Sequence, residues 1–335
     1  RGGTMSTQTT NQPRHAPFNV KRWTRHPRMI EYRRLATIVI LVNLWIFVAG
    51  IFSSRWVESS GIATSLIAQM ALYNFTLGIL IRQQRVVNAL FWLATRIPTS
   101  WPLSIRWTAG KVFHFGGLHS GGTGMGTAWF VFLLIGSGYN WINGVGSETL
   151  TTIWLTAAMV TLMFCMIVTA LAPIRARFHN NFELVHRFAG WSLLALFWAH
   201  SASLSNDHGQ AFLQTSGFWL LCLITFSIIL PWLSLKKVPI EVVKPSNHAV
   251  SARFNYGETP FAGSSNAISV SPLREWHSFA NIPTPGTDGY RLVISRAGDW
   301  TGNFIDNPPS HVWVKGITTA GVARVEVLFK KVVYV

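Results

Sequence analysis

Residues 112–147 read VFHFGGLHSGGTGMGTAWFVFLLIGSGYNWINGVGS, thirty-six positions without an Asp, Glu, Lys or Arg. Lys111 and Glu148 bound the run. A helix needs about 20 apolar residues to cross the hydrocarbon of a bilayer, so this stretch is long enough for one. Reading outward from it, residues 35–54, 59–81, 149–174, 188–206 and 208–235 are also free of charged side chains. Together they predict six spans, near 35–53, 61–81, 113–136, 151–172, 185–203 and 213–234. The expected fold class is a membrane all-α six-helix bundle. The competing reading, buried helices in one large soluble core, must account for all of these runs within 235 residues.

Composition points the same way. Of 335 residues, 49% are hydrophobic and 12% charged, against about 25% charged in an ordinary soluble domain. Disordered, collagen-like and disulfide-framework classes are excluded. Cys165 and Cys222 lie in apolar runs without CxxC spacing, so they make no thiolate metal site. The net charge of +16 raises nucleic acid as a partner, but the charges gather between the apolar runs. The tail to Arg34 holds eight Lys/Arg and one acid, and residues 82–111 hold five and none. Arg175 with Arg177, and Lys236 with Lys237, follow at the next alternate loops, whereas the opposite loops carry Arg55 with Glu58, Glu148, and Asp207. Positive charge on the inner side predicts a multi-pass protein with both termini in the cytosol. The lipid bilayer, with the plasma membrane as the expected location, then replaces nucleic acid as partner.

The pattern changes near residue 236. Glu241–Val243, Ala249–Asn255, Ala267–Val270, Tyr290–Ser295, His311–Lys315 and Val322–Phe329 are strand-like runs punctuated by Pro, Gly, Ser and Asn, as in a small antiparallel β-barrel. Val332–Val335 reads as a parallel strand opening a dinucleotide-binding unit, but no GxGxxG turn follows it. The expected division is a basic tail over 1–34, a six-span domain over 35–235, a barrel-like domain over 236–331, and at 332–335 the first strand of a truncated nucleotide-binding domain.

Ionisable side chains in apolar helices are costly and mark functional candidates. Four histidines qualify: His114, His119, His186 and His200. His186 and His200 stand fourteen apart, about 40° short of four full turns and about 21 Å along a helix. That spacing suits two haem irons stacked on one face, since imidazole is a good axial ligand. The alternative is a histidine near each end of the span, bonded to water or backbone. His114 and His119 are about 140° apart on a helix, so at most one can share a metal with His186, and His119 is the deeper. Fourteen residues beyond His119 stands Leu133, so His200 lacks a counterpart there and His208 is the remaining outer candidate. Gly116, Gly117, Gly121, Gly122, Gly124 and Gly126 leave one side of this run small, admitting either a flat macrocycle or a neighbouring helix.

Three segments carry a resemblance. Asn181-Phe182-Glu183-Leu184-Val185-His186-Arg187, Glu275-Trp276-His277-Ser278-Phe279-Ala280 and Gly298-Asp299-Trp300-Thr301 resemble a span start, a flavin motif and a strand end of the ferric reductase/NADPH oxidase superfamily. Phe115–Gly121 and Asp306–Val314 are similar, more narrowly, to fungal TmpA-type integral membrane flavoproteins. The resemblance implies an FAD-binding barrel, one b-type haem held by His119 and His186, and NADPH bound by a domain absent from the chain. It implies flavin contacts for His277, Ser278 and Phe279, and a flavin-phosphate contact for Arg291 or Arg296; solvated strand positions are the alternative for both arginines. The sequence departs where Ser278 replaces the usual proline and Ala280 the usual hydroxyl residue. The implied function is an NAD(P)H-dependent membrane flavohaem oxidoreductase passing electrons to ferric iron, another metal or oxygen. The alternative is a redox-weakened ferric-reductase-like protein with a signalling or scaffold role.

Overall fold

A computed structural model describes residues 30–255, 259–284, 286 and 288–333. The helical part begins with α1 (Glu31–Phe52), a short hairpin of β1 (Val57–Glu58) and β2 (Gly61–Ile62), and α2 (Thr64–Leu80). Then come α3 (Gln84–Thr95), α4 (Leu103–Ala109), α5 (Gly116–Ile142), α6 (Leu150–Ala170), α7 (Ala172–Arg177), α8 (His179–Asp207) and α9 (Ser216–Leu233). Side-chain caps start several of these: the Gln83 side chain accepts from the Arg85 and Val86 amides, Thr149 from Thr152, and Thr215 from Phe218.

The glycines of α5 make it the centre of this part. A Cβ on Gly121 would stand 2.9 Å from Val39 Cβ of α1, and one on Gly122 would stand 2.8 Å from the Asn74 carbonyl of α2. Neither contact admits a larger residue, so the small side of α5 seats two helices, α1 and α2, rather than a macrocycle. Ile67, Phe75, Phe130, Leu133, Met159, Leu193, Phe197 and Leu221 fill the core between α2, α5, α6, α8 and α9. A polar network of amides and an indole lies inside. Asn43 Nδ2 donates to Asn74 Oδ1 (2.9 Å), Asn74 Nδ2 donates back to Asn43 Oδ1 (2.7 Å), and Trp129 Nε1 donates to the same Asn43 oxygen (2.7 Å). Each amide also donates to a carbonyl four residues earlier, so every donor in the network is used.

The six-span expectation is corrected here. Among the described residues three helices, α1, α6 and α9, are long and apolar enough to cross a membrane, and α2 with α3, bent by 71°, makes at most a fourth. The physical reason is compositional. The helices α5 and α8 are uncharged over long stretches, but they spend positions on Gly, Ser, Thr, Asn and His. Lack of charge is not the same as apolarity.

After α9 the chain forms strands: β3 (Leu235–Pro239), β4 (Glu241–Val243), β5 (Ala249–Phe254), β6 (Ser264–Ser269), β7 (His277–Ala280), β8 (Ile282–Pro283) and β9 (Tyr290–Ser295). Helix α10 (Asp299–Asp306), β10 (His311–Lys315) and β11 (Thr319–Ala320) complete the set. One sheet runs β11-β6-β10-β3 with β7 also on β6; the other runs β4-β5-β9-β8. The pairings between these strands are antiparallel. Alternation sets the faces: Tyr290, Leu292 and Ile294 of β9 point inward while Arg291, Val293 and Ser295 point out. Val238, Val250, Phe254, Ile268, Val312 and Val314 join them, with Phe304 and Ile305 of α10, in one shared core.

The expected FAD-type barrel is therefore corrected to two open sheets. Two local expectations fail with it. Val322–Leu328 is a 3₁₀ helix, not a strand. The ladder stops at Ala320 because Asn88 of α3 takes its pairing groups: Oδ1 accepts the Ala320 amide and Nδ2 donates to the Thr318 carbonyl, both at 2.8 Å. Gly298–Thr301 opens α10 instead of ending a strand, with the Thr301 hydroxyl accepting the Ala297 and Gly298 amides. Val332 and Val333 form no strand; residues 334–335 and the basic tail over 1–29 lie outside the described residues. Arg106 of α4, donating to the Leu328 carbonyl at 2.7 Å, ties the helical part to the sheets.

Candidate functional site at the helix–sheet junction

The four candidate histidines separate into one pair and two single positions. His119 of α5 donates from Nδ1 to the Gly78 carbonyl at 2.7 Å, which fixes the ring and leaves Nε2 as its other nitrogen. The His186 ring of α8 lies 6.4 Å away, centroid to centroid, at 63°, and Phe182 packs against it at 5.2 Å. His114 instead stands 3.8 Å from the Glu31 carboxylate at the start of α1. His200, at the far end of α8, has Nε2 3.0 Å from Thr156 Oγ1. His208 approaches Glu148 at 3.8 Å and Thr64 at 3.3 Å. Among the described residues no group of three or more His, Cys, Asp or Glu side chains is placed to hold a metal ion.

The expected flavin residues are occupied by the protein itself. His277 stacks on Trp300 at 4.2 Å and 28°, and Phe279 lies over the same indole at 6.2 Å and 27°. Trp300, the first turn of α10, thus covers the ring faces that a flavin would need. Ser278 points to the opposite, exposed side of β7. Arg291 sits exposed on β9, paired across the ladder with Arg253 and Ile282. Arg296 is committed to Asp306 through two bonds of 3.1 and 2.6 Å, and to the Asn247 carbonyl. That ion pair raises the arginine pKa and lowers the aspartate's, and it leaves no free guanidinium edge for a phosphate. The residues present do not fit FAD. For haem, the glycine side of α5 is filled by α1 and α2.

What the structure does assemble is a polar junction between α8, α9 and the sheet. Val312 and Val314 point into the sheet core, so Trp313 and Lys315 of β10 lie on the other face. Lys315 Nζ stands 4.8 Å from the Trp276 ring and 5.9 Å from the Trp232 ring of α9. Burial pushes its ammonium pKa down to about 8, Arg187 pushes the same way, and Glu183 opposes. Arg187 donates to the Leu273 and Arg274 carbonyls at 2.6 and 2.7 Å and lies over Trp232. Burial also lowers the His277 pKa, against the pull of Glu183 and Glu275. Three buried atoms here lack partners among the described residues: Glu183 Oε2, His186 Nδ1 and His277 Nε2. Buried polar atoms are ordinarily paired, so their grouping marks the junction as the candidate site.

Sequence reasoning missed Lys315, Arg187 and Trp232 as site residues. The strand period carried a signal, because Lys315 falls out of phase with the inward Val312 and Val314. The partners on α9 are contacts between distant segments and left no local trace.

No family model matches the chain. It is similar to two proteins of Coprinopsis cinerea. It is 38% identical to adenylate-forming reductase 03009 over 339 residues, 98% of this chain, and 36% identical to adenylate-forming reductase 06235 over 330 residues, 96% of this chain. The chain spans about a third of these relatives, 32% of each. Their names overturn the expected ferric reductase/NADPH oxidase or TmpA-type membership and the membrane flavohaem function. The FAD and b-type haem expectations fall with them, in line with the poor fit of the residues. So does the integral, six-span plasma-membrane placement with both termini in the cytosol, since only three described helices reach spanning length and apolarity.

Proposed function

We propose that this chain is a module of an adenylate-forming reductase, an oxidoreductase that activates a carboxylic acid as its adenylate and then reduces it. The observation that supports the reading is the 38% and 36% identity to such reductases over nearly the whole chain. In adenylate formation the carboxylate oxygen attacks the α-phosphorus of ATP and pyrophosphate leaves. Reduction then replaces AMP at the acyl carbon with a hydride, so one turnover takes two electrons. We assign a reduced nicotinamide as the donor. Adenylate formation is assigned to the part of the protein outside the third that this chain spans.

The share of this module is the junction. Glu183, His186 and His277 offer buried, unpartnered polar atoms, and Lys315 offers an amine close to neutrality at mildly alkaline pH. We assign these four, with His119 orienting against His186, as the groups that hold a polar part of the reacting complex. The helical stretch to residue 235 and the strand-rich stretch from 236 act as two halves that meet at this site.

The test uses the full-length polypeptide and a panel of carboxylic acids. Acid-dependent ATP–pyrophosphate exchange and ATP-dependent oxidation of NADPH are the expected results. His186→Phe and Lys315→Met are expected to leave the exchange intact and slow the oxidation by at least about tenfold, roughly 1.4 kcal/mol. Absence of acid-dependent exchange would overturn the reading. Oxidation unchanged in both variants would remove the junction from it.

A further inference from the structure

A cavity of about 530 Å³ lies at the opposite end of α8, between α2, α5, α8, α9 and the loop before α9. That is within the roughly 300–1,000 Å³ of small-molecule sites. Its inner wall is aromatic: Phe130 lies 5.3 Å from Phe197 and 5.4 Å from the His200 ring, centroid to centroid. Its outer wall is polar, with Gln69, Ser201, Gln210 and Gln214, and Gln69 is fixed by a 2.6 Å bond from its Nε2 to Ser216 Oγ. Among the described residues the side chains of Ser201, Gln210 and Gln214 make no bond to protein. No Asp, Glu, Lys or Arg lines the space.

His200 supplies the direction. It is 2% exposed and lines the cavity. The Thr156 hydroxyl donates its hydrogen to the Thr152 carbonyl at 2.8 Å, so at 3.0 Å it accepts from His200 Nε2–H. The imidazole is then the Nε2–H tautomer, and among the described residues no protein donor reaches the Nδ1 acceptor. An acceptor beside two phenyl rings, in a space with no charge, matches a flat apolar ring carrying a hydroxyl group.

We propose that this cavity binds an uncharged aromatic alcohol, with its ring against Phe130 and Phe197 and its hydroxyl donating to His200 Nδ1. A ring carboxylate is the weaker ligand because no Lys or Arg lines the space to balance its charge. The inference rests on the cavity alone and stands apart from the reductase reading.

The probe is 2-naphthol, followed by its own fluorescence on titration with the full-length protein; naphthalene and 2-naphthoate are the comparisons. Saturable 2-naphthol binding is expected, with 2-naphthoate at least about tenfold weaker. His200→Phe keeps the ring and removes the acceptor, so it should weaken 2-naphthol about tenfold and leave naphthalene unchanged. Ser201→Trp fills the space and should abolish both. If Ser201→Trp fails to fold, the His200→Phe comparison decides. No saturable 2-naphthol binding, equal binding of 2-naphthoate, equal 2-naphthol binding by His200→Phe, or binding retained in folded Ser201→Trp would each overturn the proposal.

Discussion

Lys315 shows what one residue gains and loses by its place. Its pKa is about 8 in the fold against an ordinary 10.5. Between those values the unfolded chain binds the proton and the folded chain does not, so stability rises with pH through that window. Below about pH 8 the amine is charged in both states and the burial penalty is fully present. Thermal unfolding from pH 7 to 10.5 is therefore expected to show an upward contribution that Lys315→Met lacks; a Lys315→Met curve parallel to wild type would refute the assignment. Asn43 is the second case. Asn43→Leu strips the acceptor from Trp129 and the partner from Asn74, and leaving buried donors unpaired costs about 1–3 kcal/mol each. The expected loss, about 3 kcal/mol by denaturant unfolding, should be partly recovered by adding Asn74→Leu. Neither role was legible beforehand. Asn43 stood inside a charge-free run read as a membrane span, and its partners lie 31 and 86 residues away.

At the scale of elements, the glycines of α5 separate two demands that look alike in sequence. A side chain at Gly122 would press on the α2 backbone, whereas one at Gly124 would meet nothing within 4 Å. Gly122→Val is expected to destabilise by about 1–3 kcal/mol or more through overpacking. Gly124→Ala is expected to be neutral or to stabilise by up to about 1 kcal/mol through helix propensity. Equal effects at both positions would contradict helix seating as the reason for the stripe. The glycine pattern announced close approach but not what approached. The runs that form β4, β5, β9 and β10 were legible as strand-like stretches set off by Pro, Gly, Ser and Asn. Val322–Leu328 reads the same way and is not a strand, because Asn88 ends the ladder from a helix far away in sequence. Lack of charge, likewise, marked where long helices run but not how many could span a bilayer.

For the whole molecule, the two halves have different surfaces. Helices α1, α6 and α9 keep large apolar side chains outward: Trp45 is 71% exposed, Phe52 87%, Trp154 71% and Trp219 65%. Exposed apolar area on this scale has to be covered. We predict that the purified protein self-associates without a mild detergent and is monodisperse with one, as light scattering would show; monodispersity without detergent would mean that another part of the protein covers this belt. Function was the least legible property. The motifs at His186 and His277 matched short patterns of one superfamily, but Phe182 packs against the His186 ring and Trp300 covers that of His277. Identity over nearly the full chain pointed elsewhere. The most direct test of that conclusion is the stoichiometry of the full-length polypeptide, supplied with ATP, NADPH and a carboxylic acid that it activates. AMP and oxidised nicotinamide appearing in equal amounts, each dependent on ATP and on the acid, is the predicted result. NADPH oxidation that proceeds without ATP or acid would contradict it.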